Sequence, residues 1–320
     1  MATDISIVIV SWNAKDYLRK CIKSIQENLD QLMIEIIVVD NASSDGSPEL
    51  IKHLYPDVKV IENDVNYGFA KANNIGIKEC SGRYICLLNS DVEILEGCFE
   101  RIMKYMDQHP DIGILGPMML NADRSLQRTC REYPTLWNTF CRAMALDTLF
   151  PKSRIFGGRM MLYWSHETQR DVDVINGCFW MVKRESLKNV GLLDESFFMY
   201  AEDVDWCKRF KEGGWRVCYY PDAKAIHYGG ASSSFQPIRF YLEMQRANIQ
   251  YWKKHHSGIE QFTFWMIMLF HHLLRSVGEI VQNATSITCK GDTRHKIDRS
   301  IASVKWMLSF NYEARVNFDK

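Results

Sequence analysis

The chain has 320 residues, of which 47% are apolar and 24% are charged, a composition typical of a globular protein with a sizeable core. Its 39 basic residues balance its 39 acidic residues, so no net positive field favours binding to nucleic acid. Because the N-terminus lacks a signal-peptide pattern and no segment reaches the ~18 consecutive apolar residues that span a bilayer, we expect a cytoplasmic protein.

Strands and helices alternate through the first third of the chain. Apolar runs predict strands over 5–10, 34–39, 58–61, 84–88 and 112–115. Helical spacing predicts a first helix capped by Asn13 and a second that starts at Ser47 and Pro48, then helices over 69–79 and 96–108. This alternation predicts an α/β fold with a Rossmann-like, mainly parallel sheet flanked by helices.

The alternation stops between about residues 120 and 170, where arginine, aromatic and turn residues predict loops and short helices over the ligand site. The later predicted elements are a strand over 174–182, a helix from Arg184, a helix that ends at Gly213, a strand over 216–220, and helices from Pro237. We therefore expect a catalytic α/β domain over 1–235 and a helical C-terminal extension over 236–320.

None of the ten cysteines forms a CxxC pair or a Cys/His zinc pattern. Most of them lie inside apolar or helical stretches. They are therefore predicted to be buried free thiols, as is typical of a reducing compartment.

Two predicted strands end in a carboxylate. Asp40 ends the second strand, and Asp91 follows the apolar run over 84–88. Open α/β sheets bind their ligands at this edge, where Asp40 could accept the imide N–H of uracil or thymine and Asp91 could bind a metal. The alternative interpretation is that both residues simply belong to polar turns.

A second acidic group, Glu202, Asp203 and Asp205, lies among aromatic residues, and His227 follows an apolar run and precedes glycines. A carboxylate beside aromatic rings can have a raised pKa, which suits a general base. The alternatives are an acidic helix start at the positive end of the dipole and a structural histidine.

These segments, taken in order, resemble a family 2 glycosyltransferase with the GT-A fold, in its rhamnosyltransferase-like branch. The resemblance extends over about residues 5 to 232. Its matching segments are IVSWN at 9–13, VVDNASSDG at 38–46, NYGFA at 66–70, LNSD at 88–91, NGCF at 176–179, EDVD at 202–205 and HYGG at 227–230.

The resemblance implies a role for each matching position. Asp40 would hold the nucleobase of a nucleotide-sugar donor, and Asp91, in the last place of the family's DxD motif, would bind Mg²⁺ or Mn²⁺ with His227 nearby. Asp203 would be the catalytic base, supported by Glu202. The other residues expected around the donor are Ser11, Asn13, Asn66, Gly68, Asn73, Asn74, Asn89 and Ser90.

The DxD motif departs from the family pattern at its first position, where Asn89 replaces a carboxylate. An amide oxygen is a weaker metal ligand than a carboxylate. Members of the resembled branch often carry this asparagine, so the replacement does not imply loss of activity.

The implied function is inverting transfer of a sugar, first of all L-rhamnose from dTDP-rhamnose, to a glycan or polyprenyl-diphosphate-linked acceptor in cell-surface polysaccharide synthesis. A UDP-hexose or UDP-hexosamine donor is the nearest alternative. A Rossmann-type dehydrogenase is a different enzyme class, against which the missing GxGxxG motif argues. A non-catalytic sugar- or lipid-binding scaffold is the third alternative, against which Asp203 and His227 argue.

The segment over 262–274 is almost entirely apolar and lies between basic residues, with Lys253 and Lys254 before it and Arg275 after it. Further basic residues follow, among them Arg294, Lys296, Arg299 and Lys305. One interpretation is a core helix that packs on the catalytic domain or on a second copy in a homodimer. The other is an interfacial helix that lies on anionic lipid at the inner face of the plasma membrane.

Overall fold

The computed structural model describes residues 3–29, 31–229, 237–285 and 290–309. The β-strands in this part of the chain are β1 Ile5–Ser11, β2 Ile34–Asp40, β3 Lys59–Glu62, β4 Tyr84–Asn89, β5 Val92–Ile94, β6 Ile112–Leu120, β7 Leu126–Gln127, β8 Cys130–Arg131, β9 Arg170–Asp171, β10 Val174–Ile175, β11 Phe179–Lys183 and β12 Arg216–His227. The α-helices are α1 Lys15–Glu27, α2 Ser47–Leu54, α3 Gly68–Lys78, α4 Cys98–Gln108, α5 Leu136–Ala143, α6 Leu146–Leu149, α7 Leu187–Val190, α8 Glu202–Glu212, α9 Pro237–His255, α10 Gly258–Thr285 and α11 Lys290–Leu308.

The chain divides into two compact units. The first unit comprises Met1–Tyr133 and Trp164–Ser234 and contains the main sheet. The second comprises Pro134–Tyr163 and Phe235–Lys320 and is built from helices.

The main sheet follows the order β3-β2-β1-β4-β11-β6-β12-β5. Its first four strands are parallel, and β11 then runs antiparallel to β4 and to β6. The register pairs Ser11 with Asp40 and Val10 with Asn89, so the carboxyl ends of β2, β1 and β4 lie side by side. This mixed sheet with a parallel core confirms the predicted α/β fold.

The core explains why the apolar runs form these strands and helices. The sheet buries apolar residues of β1 on both faces, and α1 covers one face with Leu18, Cys21, Ile22 and Ile25. On α3, a Cβ added at Gly76 would lie 2.3 Å from Val8 Cγ1, so this helix packs closely on the sheet only because position 76 is glycine. All nine cysteines that the structure describes are free and buried, as predicted, and Cys289 lies outside the described residues.

Several predicted elements have different bounds in the structure. The strand predicted over 174–182 is broken because Asn176 forms a turn, in which its Oδ1 accepts from the Cys178 N–H at 3.1 Å. The helix predicted from Arg184 is a 3₁₀ turn followed by the single turn of α7. The strand predicted over 216–220 continues to His227, because a register shift after Tyr220 lets β12 go on pairing with β6 and then with β5.

The prediction that Asn13 caps the first helix is wrong. Asn13 adopts a left-handed conformation with φ of 49°, and its Oδ1 accepts from the Ser44 N–H at 2.8 Å. The first N–H of α1, on Lys15, instead donates to Asp45 Oδ2 at 2.9 Å. Asn13 and Asp45 therefore hold the loop after β2 against the start of α1.

Within the described residues, α9, α10 and α11 confirm the helices predicted from Pro237. In the second unit, His271 Nδ1 lies 2.9 Å from the carbonyl oxygen of Ala143, so the end of α5 packs on α10. No helix in the described part of the chain is long and apolar enough to cross a bilayer. The side chains of Arg294 and Lys296 lie outside the described residues, as does Gly230.

Candidate functional site

The ends of β1 and β2 carry two buried polar atoms that lack hydrogen-bond partners among the residues that the structure describes. These atoms are Ser11 Oγ and Asp40 Oδ1. The other carboxylate oxygen of Asp40 accepts from the Ser43 N–H at 2.8 Å. Leaving a buried polar group unpaired costs about 1–3 kcal/mol, so this donor and this acceptor are poised for a ligand. Burial also raises the pKa of Asp40.

An open pocket of about 610 Å³ adjoins this strand end and shares Ser43 with it. Its lining residues are Lys15, Ser43, Ser44, Gly46, Glu49, Leu50 and His53. The loop that forms one wall requires left-handed backbone at Ala42 and Gly46, with φ of 60° and 76°. Lys15 supplies the pocket with a cation.

The turn before α3 fits tightly against the loop before α8. Gly68 has φ of 80°, and a Cβ at this position would lie 2.3 Å from the Phe198 carbonyl oxygen. Asn66 Oδ1 accepts from the Gly68 N–H at 2.9 Å, which shapes the turn. Asn73 Nδ2 donates to the Phe69 carbonyl and Asn74 Nδ2 to that of Leu193, so both amides are engaged within the protein. Their role in lining a nucleotide pocket stays a prediction.

The structure brings three of the predicted site residues together at the end of β4. Asp91 Oδ1 lies 3.2 Å from His227 Nε2, and Asn89 Nδ2 lies 3.4 Å from the same nitrogen. The contact arises because β12 pairs antiparallel with β5, which places His227 opposite Val92. Asp91 is 6% exposed, so it lies largely out of solvent.

Gln127, which belongs to none of the sequence motifs, determines which nitrogen of the neutral His227 ring carries the proton. Gln127 Nε2 donates to the carbonyl oxygen of His227 at 3.0 Å and to Asn121 Oδ1 at 2.9 Å. Its Oε1 therefore faces His227 Nδ1 at 2.6 Å and must accept a hydrogen bond from it. The neutral ring then carries its lone pair on Nε2, the atom beside Asp91.

This arrangement fits a divalent cation. A ligating histidine usually donates its other N–H to an oxygen, as His227 does to Gln127. Neighbouring ligands of an octahedral Mg²⁺ are roughly 3 Å apart, close to the 3.2 Å between Asp91 Oδ1 and His227 Nε2. No group of three or more His, Cys, Asp or Glu in the described ranges could hold a metal ion. One carboxylate and one imidazole are therefore close enough to contact the same cation at this sheet edge, and their role as metal ligands stays a prediction.

Asp203 lies in the first turn of α8 and is 6% exposed. Its Oδ2 lies 3.6 Å from a guanidinium nitrogen of Arg131 on β8, and its Oδ1 accepts from the Val204 N–H at 2.9 Å. The two residues before the helix, Tyr200 and Ala201, both have left-handed backbone, with φ of 69° and 61°. Strain of this kind costs about 1–3 kcal/mol per residue and is found mainly at functional sites.

The neighbours of Asp203 have different surroundings. Asp205 is fully buried and pairs with Arg209 Nε at 2.9 Å, and Arg209 also donates to the carbonyl oxygens of Val190 and Leu192. Asp205 is therefore a structural residue. Glu202 is 7% exposed and begins α8 beside Asp203.

The predicted residues thus form four groups rather than one cluster of contacts. Ser11, Asn13 and Asp40 lie at the ends of β1 and β2, and Asn66, Gly68, Asn73 and Asn74 lie in the turn before α3 and in α3 itself. Asn89, Ser90, Asp91 and His227 lie at the end of β4, and Glu202 and Asp203 lie at the start of α8. Adjacent strands are about 4.8 Å apart, so Asp40 and Asn89, two strands apart, are separated by roughly 10 Å. This spacing suits an extended ligand that has a base at one end and phosphates at the other.

Comparison with known proteins identifies the family and the fold. Residues 6–191 match the family described as Glycosyl transferase family 2. The chain is 24% identical to the N-acetylglucosaminyl-diphospho-decaprenol L-rhamnosyltransferase of Mycobacterium tuberculosis over 81% of this chain and 87% of that protein. It is 28% identical to the rhamnosyltransferase WbbL of Escherichia coli K12, over 69% and 82% of the two chains.

Solved structures with the same fold include the mannosyltransferase PcManGT from Pyrobaculum calidifontis in complex with GDP-Man and Mn²⁺. Its TM-score is 0.53 at 15% identity, with 98% of this chain and 85% of that chain covered. GalNAc-T7 with UDP, GalNAc and Mn²⁺ has a TM-score of 0.55 at 14% identity, and the match spans 98% of this chain but 58% of that chain. At these identities the likeness concerns the fold alone.

Proposed function

Since residues 6–191 make up more than half of the chain, it belongs to glycosyl transferase family 2, and we propose that it transfers L-rhamnose from dTDP-rhamnose to a lipid-linked glycan. The observation that carries the proposal is the contact of Asp91 with His227 at the same sheet edge as the unpaired carboxylate oxygen of Asp40. Asp203 and His227 lie beyond the matched segment, so their roles depend on the geometry and on the order of the sequence motifs.

The choice of donor follows from the relatives and from Asp40. The Mycobacterium tuberculosis and Escherichia coli relatives are both named as rhamnosyltransferases, and a relative from Shigella flexneri, 26% identical over 80% of this chain, is named dTDP-rhamnosyl transferase RfbF. Thymine and uracil both carry an imide N–H that Asp40 Oδ1 can accept. Asp40 is therefore compatible with a thymidine or uridine donor, and the relatives favour dTDP-rhamnose among these.

In the proposed mechanism, Asp40 and Ser11 hold the nucleobase, and Asp91 and His227 are the residues that would hold a divalent cation. Such a cation would neutralise charge that develops on the departing diphosphate. Lys15, at the neighbouring pocket, adds positive charge at the same sheet edge. The Asn89 amide nitrogen lies 3.4 Å from His227 Nε2 and helps to orient the imidazole.

Asp203 acts as the general base in this proposal. One of its carboxylate oxygens accepts the proton of the acceptor hydroxyl while the hydroxyl oxygen forms a bond to C1 of the sugar. The bond from C1 to the diphosphate oxygen breaks, and its electron pair leaves with the diphosphate. Attack from the face opposite the diphosphate inverts the anomeric centre. Arg131 holds one side of the carboxylate, and Glu202 supports it at the start of α8.

The acceptor class is inferred from the name of the Mycobacterium tuberculosis relative, which specifies a diphospho-decaprenol carrying N-acetylglucosamine. By analogy, we propose a polyprenyl-diphosphate-linked glycan as acceptor and a role in cell-surface polysaccharide synthesis at the inner face of the plasma membrane. The family match leaves no support for the dehydrogenase alternative. A UDP-hexose or UDP-hexosamine donor is the remaining enzymatic alternative.

A panel of donors tests the proposal directly. The purified protein is given dTDP-rhamnose, dTDP-glucose, UDP-glucose, UDP-N-acetylglucosamine or GDP-mannose with Mg²⁺ or Mn²⁺, and release of nucleoside diphosphate is measured with and without a polyprenyl-diphosphate N-acetylglucosamine acceptor. We expect fastest release from dTDP-rhamnose, stimulation by the acceptor, and loss of release in EDTA. Preference for a UDP-sugar would contradict the donor assignment, and release from no donor would favour a non-catalytic scaffold.

Changing Asp40 to Asn tests recognition of the nucleobase. Loss of a hydrogen bond to a charged acceptor costs about 1.5–3 kcal/mol, so dTDP and UDP should both bind at least roughly tenfold more weakly. Inorganic pyrophosphate with Mn²⁺ should bind as before, because it has no base. Calorimetry measures both, with Asp64→Asn as the matched control, since Asp64 is exposed and bonds to Tyr67.

The same carboxylate predicts a pH effect on binding. Burial raises the pKa of Asp40. Only the ionised carboxylate has both oxygens free of a proton and able to accept the imide N–H. Affinity for dTDP should therefore fall on acidification at a higher pH than an ordinary aspartate would give, and Asp40→Asn should remove this component. An unchanged profile in the variant would assign the nucleobase to another residue.

A further inference from the structure

The second unit exposes a continuous apolar face on α10. Large apolar side chains recur on this helix at intervals of three or four residues and are between 45% and 77% exposed: Ile259, Phe262, Met266, Phe270, Leu273 and Val277. The opposite face is buried and includes Phe264 and His272. An ordinary amphipathic helix presents polar residues to water. On α10 the exposed face instead carries large apolar side chains, whereas the buried face includes the polar residues His272, Ser276 and Glu279.

A second exposed apolar surface lies on the segment over 137–156 and is here called the aromatic patch. Trp137 contacts Phe140 and Phe156 with ring centroids 6.0 and 6.1 Å apart, and Phe150 lies 5.3 Å from Phe156. The indole N–H of Trp137 donates to the carbonyl oxygen of Ile155 at 2.9 Å. Trp137, Phe150 and Ile155 are each at least half exposed, so the patch is an ordered surface of aromatic rings that faces solvent.

The exposed charged side chains in the segments that carry these two surfaces have one sign. Residues 134–163 and 238–279 contain nine Lys and Arg residues but four acidic residues, although the whole chain is neutral. All four acidic residues are buried or half-buried. The exposed charged residues in these ranges are all basic: Arg142, Lys152, Arg154, Lys253 and Lys254.

We propose that the apolar face of α10 and the aromatic patch bind an anionic lipid surface, the apolar side chains entering the interface and the basic residues lying at the headgroups. The combination of Trp, Phe and Leu with a basic rim is typical of helices that lie in the plane of a membrane. A second copy of the chain is a weaker occupant. In a two-fold interface the same patch meets itself, so the basic rims would face each other without acidic partners.

Membrane binding is a property beyond the proposed function. It rests on that function only for its biological purpose, which is to bring the transferase to a lipid-linked acceptor. Attachment to the membrane replaces a search through solution by a search across a surface. The chemistry at Asp91 and Asp203 does not require it, because a free donor can be hydrolysed without lipid.

Vesicle sedimentation with the full-length protein tests the proposal. Binding is measured to phosphatidylcholine vesicles with and without phosphatidylglycerol, at low and high salt. The α10 variant carries Phe262→Glu and Phe270→Glu, and the patch variant carries Trp137→Glu and Phe150→Glu. The matched control carries Met33→Glu and Leu54→Glu, which are 47% and 44% exposed but belong to the first unit.

We expect the wild type and the control to bind anionic vesicles, more weakly at high salt, and the two surface variants to bind at least roughly tenfold more weakly. Equal binding by the wild type and both variants would overturn the proposal. The proposal would also be overturned if the wild-type protein were a dimer that does not bind anionic vesicles, because a second copy of the chain would then cover the apolar face of α10 and the aromatic patch. Circular dichroism and hydrolysis of free donor confirm that the variants fold. If the wild-type protein binds anionic vesicles but does not hydrolyse free donor, the result would instead contradict the proposed function alone.

Discussion

Replacing Asp203 by Asn should lower sugar transfer by roughly 10²- to 10⁴-fold while leaving donor affinity nearly unchanged. The amide occupies the same volume but cannot take the proton of the acceptor hydroxyl. Its Oδ1 can still accept from the Val204 N–H, so the first turn of α8 should be retained. Transfer is measured by release of nucleoside diphosphate at saturating acceptor, and donor affinity by calorimetry.

Two further variants separate the base from its neighbours. Glu202→Gln changes the adjacent acid and should reduce transfer much less, because Glu202 is assigned a supporting role. Glu212→Gln changes an acid at the far end of the same helix, which is exposed and pairs with Lys208, and it should have no effect. If Glu202→Gln abolished transfer while Asp203→Asn retained it, the two roles would be exchanged.

Because Asp203 contacts Arg131, the Asp203→Asn variant also tests whether Asp203 has a structural role. Asp203 Oδ2 lies 3.6 Å from the guanidinium, so the charge of Arg131 loses a partner in Asp203→Asn. A purely structural effect should therefore appear as a lower melting temperature in proportion to the loss of activity. An unchanged melting temperature with lost transfer would identify Asp203 as a base rather than as a structural ion pair.

The residues at the strand ends could be predicted from the sequence because local features of the chain determine their position. An apolar run that is buried on both faces must end where a charge begins, and the alternation with helices makes the strands parallel. These two facts place Asp40 and the end of β4 at one edge, as the registers of Ser11 with Asp40 and of Val10 with Asn89 confirm. The contact of Asp91 with His227 is of a different kind, since it depends on β12 returning antiparallel to β5.

Gln127 and Arg131 could not be found in this way. Each meets its partner only after the chain has folded back, and 100 residues separate Gln127 from His227. Both lie in two-residue strands, β7 and β8, which are too short to show periodicity. The three residues of β5 likewise show no strand pattern in the sequence, because a strand of that length is defined by its pairing with β12 rather than by its composition.

Asn13 shows how a local rule fails when a tertiary partner competes for the same side chain. An asparagine shortly before an apolar helical pattern is a good cap on statistical grounds. In the structure its Oδ1 binds the Ser44 N–H instead, and Asp45 from the same loop accepts the first N–H of α1. The loop after β2 and the start of α1 thereby fix each other beside Asp40.

Replacing Asp91 by Asn should produce the largest loss of metal-dependent donor binding. With Asn89 in the place of a first acid, Asp91 is the carboxylate nearest the imidazole of His227, at 3.2 Å. Loss of an outer-shell partner of a metal ligand typically costs 10- to 100-fold in affinity, and loss of a ligand should cost at least as much. Calorimetry of dTDP with Mn²⁺ measures the effect, and the same titration in EDTA provides the metal-free reference.

Gln127→Leu tests the same site from outside the ligand set. It removes the acceptor that orients His227 Nδ1, so metal-dependent binding should weaken roughly tenfold, less than in Asp91→Asn. Asp123→Asn is the matched control, because this acid lies in the turn before β7 and is exposed and bonded to Ser125. Metal-free binding should be equal in all three variants.

The ranking of these variants distinguishes a metal site from an electrostatic pair. If Asp91 and His227 only formed an ion pair, Asp91→Asn would change stability but would leave the difference between the Mn²⁺ and EDTA titrations intact. If they hold the cation, that difference should shrink in Asp91→Asn and, to a lesser degree, in Gln127→Leu. Asn89→Asp, which supplies a second carboxylate beside His227, should then enlarge the difference, because a carboxylate is a stronger ligand than an amide for a hard cation.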